Sequence, residues 1–212
     1  MQRVLSLLAL LTLGSIWTLE ADPVRSEPLV ATQESFDVGQ FMGRWYEVAV
    51  VSSCPHYMQR KRGSSAVVTV ELQHNSSEGN FTMKSTSFRN GSCQQTATDY
   101  SLTDTPGRFF HHVARFGADV DSFVVHTNYD DFAMILQLSI EKPSGNKTII
   151  AKLYGRAMMV GSAVLDNFKS LVRQYGMRDE DIIMNQSKGE CVQVEKVTKP
   201  IMTQPQTTCG SC

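Results

Sequence analysis

The residues with the greatest chemical capacity are five cysteines: Cys54, Cys93, Cys191, Cys209 and Cys212. Their number is odd, which in an oxidising compartment leaves a thiol free or bonded to another chain. Any four of them admit three pairings, so spacing leaves the assignment open. Cys54 is distinguished by its neighbours. In "SSCPHYMQRKR" it precedes Pro55, with His56 close by and Arg60, Lys61 and Arg62 behind it. Cations beside a thiol favour the thiolate and raise its reactivity; the same basic run also reads as the solvated face of a loop. Thiolate and imidazole both ligate haem iron, so Cys54 and His56 form a candidate haem-binding pair. Cys209 and Cys212 close the chain as "CGSC". That pair is open between a local disulfide, a redox couple and a bond to another chain, and it lacks the βαβ context of a redox CxxC. A local disulfide there would leave Cys54 alone. His111 and His112 are adjacent on an extended segment and must face opposite ways; His112 is carried forward as the ligand-binding candidate. No metal site is expected.

Short runs rich in Val, Ile, Thr, Tyr and Phe must position these groups. Eight strands are expected: Gly43–Ser52, Ser65–Leu72, Asn80–Ser87, Gln95–Ser101, Gly107–Arg115, Ser122–Thr127, Phe132–Ile140 and Lys147–Tyr154. The separators "HNSSEG", "RNGS", "DTPG", "GADVD", "NYDD" and "KPSGN" carry turn chemistry. Regular short strands of this kind predict an all-β antiparallel sandwich or barrel. Val164, Leu165, Phe168, Leu171, Val172 and Tyr175 then form the apolar stripe of one amphipathic helix, with Gly176 as a left-handed C-cap. Eight antiparallel strands closed into a barrel lose both sheet edges and enclose room for one small ligand. A barrel filled by its own side chains has the same periodicity.

The chain of 212 residues carries a net charge near −1 and suits one domain with tails, which gives no support to nucleic-acid binding. Met1-Gln2-Arg3 is a basic head before the apolar run Val4–Leu13, and small and polar residues lead to Ala21. This pattern predicts a secretory signal peptide over 1–20, cut near Thr18 to Ala21, and is too short to span a bilayer comfortably. A flexible arm over 21–35, the folded domain over 36–192 and a flexible tail over 193–212 follow. Five sequons, at Asn75, Asn80, Asn90, Asn146 and Asn185, predict glycosylated surface loops, with several in use.

Three motifs carry a resemblance. "GRWYEVA" at Gly43–Ala49, "HTNYDDFA" at His126–Ala133 and "AKLYGRA" at Ala151–Ala157 resemble, in order and spacing, the three signatures of the lipocalin family. The resemblance implies an up-and-down barrel of eight antiparallel strands with the C-terminal α-helix packed outside. It implies that Trp45 closes the narrow end, that Arg156 packs over its ring, and that Gly43 allows a close backbone approach. "SSCPH", "RNGSCQQT", "TDTPGRF" and "KGECV" are similar to one secreted plasma branch of the family. That similarity implies a disulfide between Cys93 and Cys191, and a reactive Cys54 at the barrel mouth. Lys152 matches one of three mouth lysines tied in that branch to reductase and chromophore behaviour, with Val113 and Ser139 at the other two positions.

The function so implied is extracellular carriage of a small hydrophobic ligand. Haem or tetrapyrrole breakdown products come first, then retinoids or fatty acids. Cys54, His56, Lys152 and His112 would bind it, and Cys54 with Lys152 would add thiol-dependent reductase or antioxidant chemistry. No cofactor is obligatory and no stable membrane insertion is expected. Two alternatives remain: an isomerase resembling lipocalin-type prostaglandin D synthase, and a plasma protein acting through disulfide-linked partners at Cys54.

Overall fold

A computed structural model describes residues 30–75, 79–89, 91–186 and 191. The expected signal peptide, Asn90, Cys209, Cys212 and the tail lie outside the described residues. Strands β1 (Gly43–Ser52), β2 (Val68–His74), β3 (Asn80–Arg89), β4 (Ser92–Leu102), β5 (Arg108–Val113), β6 (Ala118–Thr127), β7 (Phe132–Glu141) and β8 (Lys147–Gly155) pair antiparallel in sequence order. β1 then pairs with both β8 and β2, which closes the eight-stranded barrel.

The closing seam is shared. β2 pairs with the first half of β1, from Gly43 to Glu47, and a ninth strand, β9 (Ile183–Met184), pairs with Ala49 and Val50. Asn185 bridges the change of partner, its backbone N–H donating to the Val48 carbonyl at 2.8 Å. β9 thereby covers part of the edge of β1 that β2 leaves.

Among the described residues three α-helices join the strands: α1 (Val38–Phe41), α2 (Pro55–Gly63) and α3 (Ser162–Gln174). α3 is the expected amphipathic helix. Phe168, Leu171 and Val172 are buried on the outside of the barrel in one cluster with Ala49, Met134, Leu136, Ala151 and Leu153. Each such side chain stabilises by about 1.5–3 kcal/mol relative to exposure. Gly176 takes φ +73°, as a left-handed cap requires.

The segment behind β1 differs from the loop expected there. Cys54 is the N-cap of α2: its sulfur accepts from the Tyr57 N–H at 3.3 Å, and Pro55 takes the first turn. Arg60, Lys61 and Arg62 occupy the last turn, where the helix dipole favours cations. Residues 30–35, expected as part of a free arm, lie against the barrel. Val30 is buried, and the Gln33 N–H donates to the Val124 carbonyl at 2.7 Å.

Candidate functional site

Strand parity decides which side chains enter the barrel. On β5 they are Phe109, His111 and Val113; on β7, Ile135, Gln137, Ser139 and Glu141; on β8, Ile150, Lys152 and Tyr154. The narrow end is filled. Trp45 is 1% exposed, its indole N–H donates to the Phe41 carbonyl at 2.8 Å, and Phe81 meets Phe109 edge-on with ring centroids 4.9 Å apart. Only about 30 Å³ of space remains there.

Arg156 seals this end from outside, as the motif implied. Its guanidinium carbon stands 3.7 Å from the centre of the Trp45 ring. Its nitrogens donate to the carbonyls of Tyr129, Arg44 and Gln40 at 2.8, 2.8 and 2.9 Å. Gly43 takes φ +91°, and a Cβ there would lie 3.5 Å from Arg156 Nη1. Its role is therefore backbone conformation beside the arginine.

Above this floor the barrel is open. A chamber of about 760 Å³ is lined by Glu47, Tyr57, Lys61, Val70, Met83, Lys152 and Tyr154 among others. Tyr57 and Arg60 also border a side lobe of about 220 Å³ that reaches Cys54, His111, Val113 and Ser139. The chamber's volume lies in the range of small-molecule sites.

A buried charge network stands in the chamber wall. Glu47, 4% exposed, meets Lys61 Nζ at 2.7 Å and Lys152 Nζ at 3.4 Å. Asn185 Nδ2 donates to the Glu47 carbonyl at 2.7 Å and to its carboxylate at 3.2 Å. Burial alone would raise the Glu47 pKa; the ammonium groups of Lys152 and Lys61 and the hydrogen bonds from Lys61 and Asn185 hold it down to about 2. Lys152 is buried too, which disfavours its charge, yet its pKa lies well above its ordinary range, with the Glu47 carboxylate as the charged partner that keeps it protonated. Lys61 therefore pins α2 to β1, and Asn185 pins the segment after β9 to the same carboxylate.

Several expected roles are corrected. Cys54 is 3% exposed and disulfide-bonded, so it is not a free thiol. Its partner is not Cys93, which bonds Cys191 as implied, with Cα atoms 5.5 Å apart. The reactive and catalytic roles assigned to Cys54 lose their thiolate. His56 is exposed on α2 and lines neither space. His112 is exposed, faces away from the barrel and pairs with Asp119 at 2.7 Å. Its neighbour His111 faces the side lobe instead, its ring centroid 4.4 Å from that of Tyr100. The deciding signal was available, since His111 shares parity with the apolar Phe109.

Asn185 is 8% exposed, and the nitrogen that would carry a glycan makes two hydrogen bonds, so it sits in the core and not on the expected surface loop. Asn146 is exposed in the turn after β7, while Asn75 and Asn80 are half-buried beside the β2–β3 turn. Glu47, Lys61 and His111 went unselected in the sequence. Nothing local marks Glu47 or Lys61, because their pairing spans 14 residues and two elements.

Residues 42–189 match the model of the lipocalin / cytosolic fatty-acid binding protein family. The chain belongs to this family. The lipocalin is 47% identical to Protein AMBP of Pleuronectes platessa over 90% of its own length, and 34% identical to Protein AMBP of Mus musculus over 94%. It spans about half of those relatives, 53% and 56% of their lengths. The stretches around Cys54, Cys93 and Cys191 resemble the alpha-1-microglobulin part of that precursor. Prostaglandin-H2 D-isomerase of Felis catus is 23% identical over 88% of the lipocalin and 94% of the isomerase. The solved structure of the siderocalin Ex-FABP matches with TM-score 0.58 at 20% identity, over 71% of this chain and 96% of that one, a likeness of fold.

Proposed function

We propose that this lipocalin binds and carries a small hydrophobic ligand in the barrel, as a secreted protein. The carrying observation is the chamber of about 760 Å³ above a sealed aromatic floor. The driving force is burial of apolar ligand surface in preformed space, about 25 cal/mol per Å² before the costs of ordering. Secretion rests on the signal-like N-terminus and on the Cys93–Cys191 disulfide, which suits an oxidising compartment. Among the described residues no helix is long and apolar enough to cross a membrane.

Haem or tetrapyrrole breakdown products are the first class to test, followed by retinoids and fatty acids. His111 offers an imidazole in the side lobe, and Lys152 offers a buried cation to an acidic substituent. Reductase, antioxidant or isomerase chemistry through Cys54 is not carried forward, because Cys54 is disulfide-bonded. Titration of the folded protein with haemin, bilirubin, a retinoid and a fatty acid, followed by Trp45 emission and ligand absorbance, tests carriage. Saturable one-to-one binding of at least one class supports it; no saturable binding by any class refutes it.

A further inference from the structure

The lining of the chamber is strongly asymmetric in charge. Among the described residues, four cations line it, Arg60, Lys61, Arg115 and Lys152, against the single carboxylate Glu47. The whole chain is close to neutral. The excess is therefore concentrated at this site.

Position gives the cations different tasks. Arg60 and Arg115 are exposed, on α2 and on the short turn after β5, at the entrance. Lys61 is consumed by its 2.7 Å contact with Glu47. Lys152 is 16% exposed and stands farther from that carboxylate, at 3.4 Å. One carboxylate thus serves two buried ammonium groups, and with Glu141 of the neighbouring lobe counted the cations facing the interior still outnumber the carboxylates. A polar group in the neighbouring lobe also lacks a partner. His111 Nδ1 is buried and makes no hydrogen bond. Burial, then Lys152, then His112 lower its pKa to about 4, so the ring is neutral at physiological pH and has one N–H to donate, from whichever nitrogen carries the proton.

We infer that the chamber wall between Lys152 and His111 is a subsite for the acidic head of an amphipathic organic anion, with Arg60 and Arg115 drawing that anion into the mouth. This rests on the carriage reading and narrows it: among ligands of similar apolar bulk the barrel selects acids over the corresponding alcohols and esters. A carboxylate head takes the charge-assisted contact with Lys152 and the N–H of His111, while its apolar body occupies the space bounded by Val70, Met83 and Tyr154. A neutral isostere leaves the excess charge without a counter-ion. Charged side chains lining the entrance raise the encounter rate of anions and lose that effect as salt rises.

Fluorescence titration of the full chain with cis-parinaric acid and its methyl ester, and with retinoic acid and retinol, tests the inference. The acids are expected to bind about tenfold or more tightly than their neutral partners, the scale of one hydrogen bond to a charged group. Lys152→Met should close that gap by weakening the acid alone, and Lys152→Arg should preserve it. Arg115→Gln lies at an exposed position away from the core, so it tests the entrance in a folded protein whatever Lys152→Met does to stability. It should slow association of the acid and reduce its salt dependence. Equal affinity for acid and neutral partner in the unmodified protein overturns the inference and leaves carriage standing. A preference for acids unchanged in both Lys152→Met and Arg115→Gln overturns the assignment of these residues. Failure of acids and neutral partners alike to bind overturns carriage, and this inference with it.

Discussion

Replacing Glu47 by Gln should strongly destabilise the barrel while leaving its shape intact. The substitution keeps volume and removes the carboxylate shared by Lys61 and Lys152, at 2.7 and 3.4 Å. Two routes give its magnitude. The pKa of Glu47 falls from 4.5 to about 2 on folding. At about 1.4 kcal/mol per unit, that is roughly 3 kcal/mol of stability at neutral pH. Independently, removing one partner of a buried ion pair typically costs about 3–5 kcal/mol, because the remaining charge is stranded. Urea unfolding at neutral pH should therefore show a loss of about 3–5 kcal/mol, and the melting temperature should fall by roughly 10 °C. Lys61→Met added to Glu47→Gln should cost less than the sum of the single changes, because it removes one stranded cation. A loss below about 1 kcal/mol for Glu47→Gln would refute the reasoning, since that is the value of an exposed pair.

Arg156→Ala should cost about 3 kcal/mol or more in the same assay, because it deletes the contact with the Trp45 ring and three donors to main-chain carbonyls. Arg156→Lys should recover only part, since an ammonium cannot reproduce the fork. Acidification should lower stability in two stages. Between pH 6.5 and about 4 the unfolded chain protonates His111 while the folded chain does not, which removes about 1 kcal/mol once the partial exposure of the ring is allowed for. Between pH 4.5 and about 2 the same imbalance at Glu47 removes more. His111→Phe should flatten the upper stage of the urea-midpoint profile. Enzymatic deglycosylation with peptide mapping of protein from its natural source should find Asn185 unmodified, because its Nδ2 is committed to Glu47.

The barrel was legible in the sequence because its signals are local. β1 matches its expected bounds, and β7 and β8 extend only one residue past theirs. Trp45, Arg156 and the Cys93–Cys191 pair were legible through family motifs, which record long-range contacts that spacing alone cannot supply. α2 was missed because its buried face consists of Met58 and Lys61, too thin and too polar a stripe to register as amphipathic. Its cap was hidden as well, since a cysteine is an unusual N-cap and drew a chemical reading instead. The sequon at Asn185 misled because the pattern reports three residue types and nothing of burial. His112 was preferred over His111 although parity with Phe109 decides between them.

The central claim is that the chamber holds a small ligand, and native mass spectrometry of protein from its natural source tests it most directly. The folded protein should carry an added small-molecule mass that is released when the barrel is unfolded in organic solvent, and the released compound should be an organic acid. A folded protein of bare polypeptide and glycan mass, one that also takes up no haemin, bilirubin, retinoid or fatty acid, would contradict the account.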